Sequence, residues 1–302
     1  MIKIAYCHIY AHPLPEGHRF PMLKYELIPL QLLHIGKIVP EQLFCPQPAA
    51  ENVIIATHDQ HYWEQLRDLT LPYKEQRRIG FPLSAQLVER ERRIAQGTID
   101  GALHAIAHGI AFNVAGGTHH AGSNLGEGFC LLNDQAIAAN YLLNNGICRR
   151  ILIIDLDVHQ GNGTAEIFSD EPRVFTFSMH GDKNFPFRKE QSDLDLPLEN
   201  GITGDLYLEL LRERLPVLIK SFQPDFVFYL AGVDVLSSDK LGKLKLSKSD
   251  TAERDRIVFA LCKAHGLPVQ VSMGGGYSAD IKDIVDAHCN TFIAGFDIFE
   301  QL

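Results

Sequence analysis

Asp155, Asp157 and His159 occupy alternate positions in the run Ile154 to Gly163 (IDLDVHQGNG). In extended chain, alternate side chains share a face. Two carboxylates and an imidazole so placed repel or stay unpaired unless a cation joins them, and Zn²⁺ accepts nitrogen and oxygen donors together. Asp157 and His159 supply two ligands. A catalytic zinc usually has three protein ligands and an open position for water, and Asp234, alone after an apolar strand and close behind Gly232, is the third candidate. Singly, Asp155 reads as a turn cap, His159 as a satisfied core histidine and Asp234 as a helix N-cap. Jointly, across two strand ends, they read as a metal site.

His119 and His120 sit between glycines in Gly116 to Gly122 (GGTHHAG). Adjacent side chains point in different directions, so the pair is poorly placed to chelate one ion. Two imidazoles near a metal-bound water can instead serve as general base and general acid. Partners must set their protonation, and Asp155 and the amide of Asn162 are available. Tyr277 follows Gly274-Gly275-Gly276, a loop able to bring backbone close to a ligand. A phenol there can donate to a carbonyl oxygen as negative charge develops on it. The glycine run is not a phosphate loop, because no Gly-Lys-Ser/Thr follows.

What must position these groups is a set of strand ends. Ile2 to Tyr6, Ile110 to Val114, Ile151 to Leu156, Val174 to Ser178, Phe226 to Leu230 and Val269 to Met273 read as strands, with Thr291 to Ala294 as the last. Leu87 to His108 reads as a long helix, with Leu87, Ile94, Ile99, Leu103 and Ile106 at helical spacing and Gly109 as its stop. Another helix begins at Asn133 or Asp134 and turns Ala136, Ile137, Ala139 and Leu142 inward. Leu206 to Phe222, with Pro216 as a kink and Pro224 as its end, Asp250 to His265 and Asp280 to His288 complete the helices. Strands apolar on both faces and separated by helices predict a parallel sheet covered on each side. In such sheets ligands bind beyond the carboxyl ends of the strands. Each of the four polar clusters follows a predicted strand.

The 302 residues are 46% hydrophobic and 22% charged, enough for one large core. No repeat, low-complexity tract or linker interrupts them, and Pro40 to Pro48 is too short and mixed to divide domains. Residues 1–302 therefore read as one domain. The longest apolar runs fall far short of the ~20 residues a bilayer requires. The N-terminus, MIKIAYCHIY, lacks the apolar stretch of an export signal. With 28 basic and 37 acidic residues the formal charge is −9, a poor match for a phosphate backbone. Six scattered cysteines without a Cys-x-x-Cys pair argue against a disulfide framework and fit reduced thiols in a cytoplasmic protein.

In order and spacing, Gly116 to Asp134 (GGTHHAGSNLGEGFCLLND), Ile154 to Gly163, Ala231 to Asp234 (AGVD) and Gly274 to Tyr277 (GGGY) resemble the histone deacetylase superfamily, and the likeness covers most of the chain. Asp234 to Ser247 (DVLSSDKLGKLKLS) looks most like the class IV branch. The resemblance implies one arginase-like α/β domain, with a mostly parallel eight-stranded sheet flanked by helices on both faces. It implies Asp157, His159 and Asp234 as zinc ligands, His119 and His120 as the proton-handling pair, and Tyr277 as the carbonyl polariser. Asp155 would orient His119 and, with Asp157, His159, Ser178 and Met179, hold a structural potassium ion. Asn162 would partner His120 where some classes place an aspartate. Phe129, Gly128 and Gly275 would line a narrow acyl-lysine channel. No counterpart is evident of the rim aspartate that grips the substrate backbone in class I, and Arg77 to Gln86 is the segment expected to form that rim.

The implied reaction removes an acyl group, acetyl or a longer fatty chain, from Nε-acyl-lysine in a protein or peptide. The alternative is the same chemistry on a small acylated amine or polyamine. Such relatives often carry an inserted loop that narrows the mouth, and no such insertion is evident. A non-enzymatic acyl-lysine reader is expected to lack Tyr277, a ligand or the histidine pair. A binuclear arginase-type hydrolase needs more carboxylates than these motifs offer.

Overall fold

Ile151 to Asp155 and Phe226 to Leu230 are buried at every position, as strands covered on both faces must be. The computed structural model describes residues 1–300. Its strands are β1 (Ile4–Ala5), β2 (Leu43–Phe44), β3 (Ile110–Asn113), β4 (Ile151–Asp155), β5 (Val174–Gly181), β6 (Leu194–Leu198), β7 (Phe226–Leu230) and β8 (Val269–Ser272). They form one eight-stranded sheet of order β2-β1-β3-β8-β7-β4-β5-β6. Every pairing is parallel, so all the carboxyl ends lie along one edge.

The helices are α1 (Lys24–His34), α2 (Glu51–Ile54), α3 (Gln60–Arg67), α4 (Tyr73–Ile79), α5 (Ala85–His108), α6 (Asp134–Asn144), α7 (Asn162–Ile167), α8 (Gly204–Phe222), α9 (Lys248–Ala264) and α10 (Ile281–Phe299). Two neighbouring residues of β3 show how they divide. Phe112 stacks on Phe292 and Phe296 of α10, whereas Asn113 donates to the Ile94 carbonyl and the Thr98 hydroxyl of α5. Successive strand residues point to opposite faces, so α5 covers one side of the sheet and α10 the other. No helix among the described residues is long and apolar enough to cross a membrane.

Several expectations change. Thr291 to Ala294 is not a strand but the middle of α10, which runs on past His288 because Ile284, His288, Phe292 and Phe296 keep a four-residue period and are all buried. On α5, Leu87, Ile94 and Ile99 are buried but Leu103 and Ile106 are exposed; smaller residues, Gly97, Gly101, Ala102 and Ala105, complete the covered face. A Cβ at Gly97 would stand 2.7 Å from the Tyr10 hydroxyl, which is why this turn of the helix can lie so close. Pro216 lies inside α8, which continues through it from Gly204 to Phe222. Pro40 to Pro48 carries β2, a strand too short to show in the pattern. The expectation of uniformly reduced thiols also fails. Cys7 and Cys45 form a disulfide, because each follows one of the paired strands β1 and β2, and the Ala5–Phe44 register brings them together. The other four cysteines are free and buried. Of the domain read over 1–302, the last two residues lie outside the described chain.

Candidate active site

β3, β8, β7 and β4 are consecutive in the sheet, and they are the four strands followed by polar clusters. Their common edge therefore gathers residues spread from 116 to 277. β4 ends at Asp155 and the chain turns. Asp155 Oδ1 accepts from the Asp157 backbone N–H at 3.1 Å, and Asp157 Oδ1 accepts from that of His159 at 3.0 Å. Asp234 Oδ1 accepts from the Val158 backbone N–H at 2.9 Å, tying the β7 turn to the β4 turn. Beneath them the buried Arg254 of α9 donates to the carbonyls of Leu156 and Gly232, 3.1 and 2.6 Å away. One guanidinium thus holds both strand ends.

Asp157, His159 and Asp234 are all buried, and their candidate ligand atoms lie within 4.8 Å of one another. His159 Nδ1 is 3.0 Å from Asp157 Oδ1 and 3.0 Å from Asp234 Oδ2. The edge of a tetrahedral zinc site with nitrogen and oxygen ligands is roughly 3.3 Å, so this donor set fits a divalent ion with little movement. The surroundings are shaped to match. A Cβ at Gly275 would lie 2.0 Å from Asp234 Oδ2, and one at Gly232 would lie 2.2 Å from Asp157 Oδ2. Burial and the neighbouring Asp157 charge push Asp234 up to about 7. Burial opposes charge on His159, but its bonds to the two carboxylates outweigh it and raise the imidazole to about 10. Despite its burial, Asp157 is held well below the carboxylate range by His159 and His119. Such a trio binds a proton to balance itself, and a cation can balance it instead.

The imidazoles of His119 and His120 face one another with centroids 4.1 Å apart. His119 Nδ1 is 2.6 Å from Asp155 Oδ2. Asp155 thus turns to His119 instead of sharing one face with Asp157 and His159, because the strand ends there. Burial disfavours charge on His119, yet the Asp155 carboxylate more than compensates and raises its pKa. His120 Nδ1 is 2.7 Å from Asn162 Oδ1. Burial first, then the positive potential of His119 and His159, hold His120 well below its ordinary value. The loop carrying the pair is fastened from behind, where Asp134 accepts from the Thr118 backbone and hydroxyl and from Thr98. His58 donates from Nδ1 to the Gly122 carbonyl and accepts at Nε2 from the Asn133 N–H.

Tyr277 packs beside Phe20, Phe129 and His159, with centroids 5.9, 6.0 and 6.5 Å away. Burial, then the charges of Asp234 and Asp157, keep its hydroxyl well above the usual phenol range, so it remains a donor. Its backbone N–H bonds to Asp239, which also accepts from Leu241 and Gly242. Lys24 is fully buried and donates to the Gly274 carbonyl at 2.9 Å, bracing the glycine loop.

His120, His159 and Tyr277 face a cavity of about 410 Å³ whose wall also includes Gly128 and Phe129. Behind it is a chamber of about 40 Å³ bordered by Phe20, Tyr25, Arg90, His119 and Gly275. Gly128 and Phe129 border both spaces, whereas Gly275 borders only the inner one. Of the segment expected at the rim, Arg78 lines the mouth. Ser178 pairs with Asp155 across β4 and β5, and Met179 beside it is buried; neither borders the cavity or its inner chamber. Asp155 joins this corner to the buried trio through the Asp157 backbone N–H. Glu127, Lys24, Asp239 and Arg254 carry no signal of these roles in the sequence. Glu127 lies within Gly116 to Asp134 and Asp239 within Asp234 to Ser247, whereas Lys24 and Arg254 lie in no motif.

The family described as histone deacetylase domain matches residues 18–292. An uncharacterised protein of a Picosynechococcus strain is 46% identical over 98% of this chain and 99% of its own length. Histone deacetylase 2 of Arabidopsis thaliana is 30% identical over 86% of this chain and 70% of its own. Among solved structures, a histone deacetylase homologue in complex with SAHA superposes with a TM-score of 0.83 at 25% identity, covering all of this chain and 84% of that one. A homologue from Aquifex aeolicus gives 0.83 at 24% identity over the same shares and speaks for the fold alone. The matched span covers nearly the whole chain and includes every side chain of the buried trio, both imidazoles and the phenol, and the chain belongs to the histone deacetylase domain family.

Proposed function

We propose that this protein is a zinc-dependent amide hydrolase that removes an acyl group from the side chain of lysine in a protein or peptide. The observation that carries this reading is that His120, His159 and Tyr277 face one cavity, with His119 and Asp157 on its inner chamber and Asp234 completing the buried trio behind them. Asp157, His159 and Asp234 would hold the zinc, which when bound supplies an acidified water and a Lewis acid for the carbonyl. The Tyr277 hydroxyl would donate to the carbonyl oxygen as the amide becomes tetrahedral. The His119 and His120 pair would take the proton of the attacking water and return one to the departing amine. Asp155 and Asn162 would hold the two rings in register. Phe129 and Gly128 would flank the extended lysine stem.

The inner chamber of about 40 Å³ is small against the ten or more carbons of a fatty chain, and supports acetyl or another short acyl group as the favoured substituent. The class IV likeness rests on Asp234 to Ser247. A potassium ion held by Asp155, Asp157, His159, Ser178 and Met179 would be structural, and the pairing of Asp155 with Ser178 supports it; a higher melting temperature in potassium than in tetramethylammonium chloride is expected. The test of the main reading is hydrolysis of acetyl-lysine and myristoyl-lysine peptides by folded, zinc-loaded protein. Faster turnover of the acetyl peptide is expected, and no turnover of any acyl length would end the proposal.

A further inference from the structure

The mouth of the cavity runs against the charge of the chain. The sequence carries −9 overall, yet apart from histidines the charged residues lining the cavity are Arg19, Arg78, Lys183 and Lys243 against Glu127 alone. The four cationic residues are exposed and come from segments far apart in sequence. Glu127, whose carboxylate accepts from the neutral Asn162 amide at 2.7 Å and so keeps its charge, offsets only one of the four. Arg19 is fixed in place, its guanidinium 5.0 Å above the Phe129 ring that flanks the channel. Neither Arg19 nor Arg78 has an ion-pair partner among the described residues. Lys243 donates to the Lys183 carbonyl at 2.6 Å, a neutral acceptor that leaves its charge uncancelled. Only Lys183 meets a carboxylate, Asp182 at 2.7 Å. Both side chains of that pair are exposed, and such pairs bind weakly and open readily.

We infer that the substrate presents its acylated lysine among acidic residues, so that carboxylates on either side of the lysine meet this basic rim. The inference rests on the deacylase reading above and narrows its substrate. Charges gathered around a concave mouth with low-dielectric walls raise the local concentration of an oppositely charged ligand. The same rim repels a lysine- and arginine-rich segment, and it repels an acylated polyamine, whose second ammonium would lie at the mouth when its acyl group lies at Tyr277. A basic rim therefore separates an acidic peptide from both of those amines.

The experiment compares acetyl-lysine peptides of equal length with Asp and Glu, with Ala, or with Lys and Arg on both sides of the modified residue, together with acetylputrescine and with Nε-acetyl-lysine bearing a free carboxylate. The acidic peptide is expected to exceed the basic one by about tenfold or more in kcat/KM, chiefly through KM, and the gap to close as salt rises to about 0.5 M. In the variant with both Arg19→Glu and Arg78→Glu the order should invert. Equal kcat/KM for the three peptides without salt dependence, or an order unchanged in the double variant, overturns the inference while leaving the deacylase reading intact. Faster turnover of Nε-acetyl-lysine than of the acidic peptide overturns the peptide in favour of a small anionic amide. No turnover of any substrate by zinc-loaded protein overturns the reaction itself, and this inference with it.

Discussion

The amide nitrogen of Asn162 stands 2.7 Å from Oε1 of Glu127. A carboxylate accepts only, so the contact fixes which end of the amide is the donor. The other end, the oxygen, then faces His120 Nδ1, and that nitrogen must carry a proton to meet it. His120 Nε2 is left bare as an acceptor. Glu127 thus sets a tautomer through an intermediary. Replacing Glu127 by Ala is expected to lower kcat about tenfold with zinc content unchanged, the scale of other outer supports of a metal site. Glu127→Gln keeps an acceptor and should lose only a few-fold. Steady-state kinetics alongside metal analysis checks both, and full activity in the Ala variant removes Glu127 from this role.

His58 makes acid tolerance measurable. Burial lowers its pKa to about 4, and its ring nitrogens are committed to the Gly122 carbonyl and the Asn133 N–H. Between its ordinary value and about 4 the unfolded chain binds a proton that the native protein refuses. Its contribution to stability is therefore whole above the ordinary histidine pKa and is lost as pH falls. From pH 7 to pH 5 the loss is about 2 kcal/mol for a pKa of about 4. His58→Gln keeps one donor and one acceptor without titrating. Urea unfolding of the two proteins at both pH values should show the variant less acid-sensitive by about that amount. Parallel pH profiles would refute the assignment.

Arg254 ties stability to the site. Its guanidinium pairs with Asp255 at 2.8 Å, both fully buried, while bonding the Leu156 and Gly232 carbonyls. Asp255 in turn accepts from Tyr229 and Thr291. Removing one partner of a buried pair leaves the other charge uncompensated and costs about 3–5 kcal/mol. Arg254→Leu is expected to lower unfolding stability on that scale and to weaken zinc binding, because both ligand-bearing turns lose their anchor. An unfolding midpoint equal to that of the parent protein would contradict this.

What could be read from the chain alone follows from how local each signal is. Ile151 to Ile154 and Phe226 to Leu230 are unbroken apolar runs, so their strands, and the polar turns after them, stand out. Because every strand is parallel, the turns share one edge, and the site assembles from four local motifs. Lys24 gives no such signal. It braces a carbonyl 250 positions away, and only the packed fold shows that the lysine is buried. Arg254 and Glu127 are hidden for the same reason: the Leu156 and Gly232 carbonyls that Arg254 holds, and the Asn162 amide that meets Glu127, are all distant in sequence. The Cys7–Cys45 pair depends on β1 and β2, two strands of two residues each, too brief for any periodicity to reveal.

Tyr277 and the ligand trio make separable predictions. Tyr277 is not one of the three candidate ligands, so Tyr277→Phe should retain zinc. Without its hydroxyl the developing oxyanion loses a donor, and loss of such a donor typically lowers turnover by on the order of 10²-fold or more. Asp157→Ala or Asp234→Ala should instead abolish zinc uptake, because each removes one of three ligands and leaves a buried, mismatched pair. Chelation of the parent protein should suppress hydrolysis, and added Zn²⁺ should restore it. Metal analysis with single-turnover rates separates the two classes. Loss of zinc from Tyr277→Phe, or retained zinc in both aspartate variants, would require the site to be redrawn around other residues.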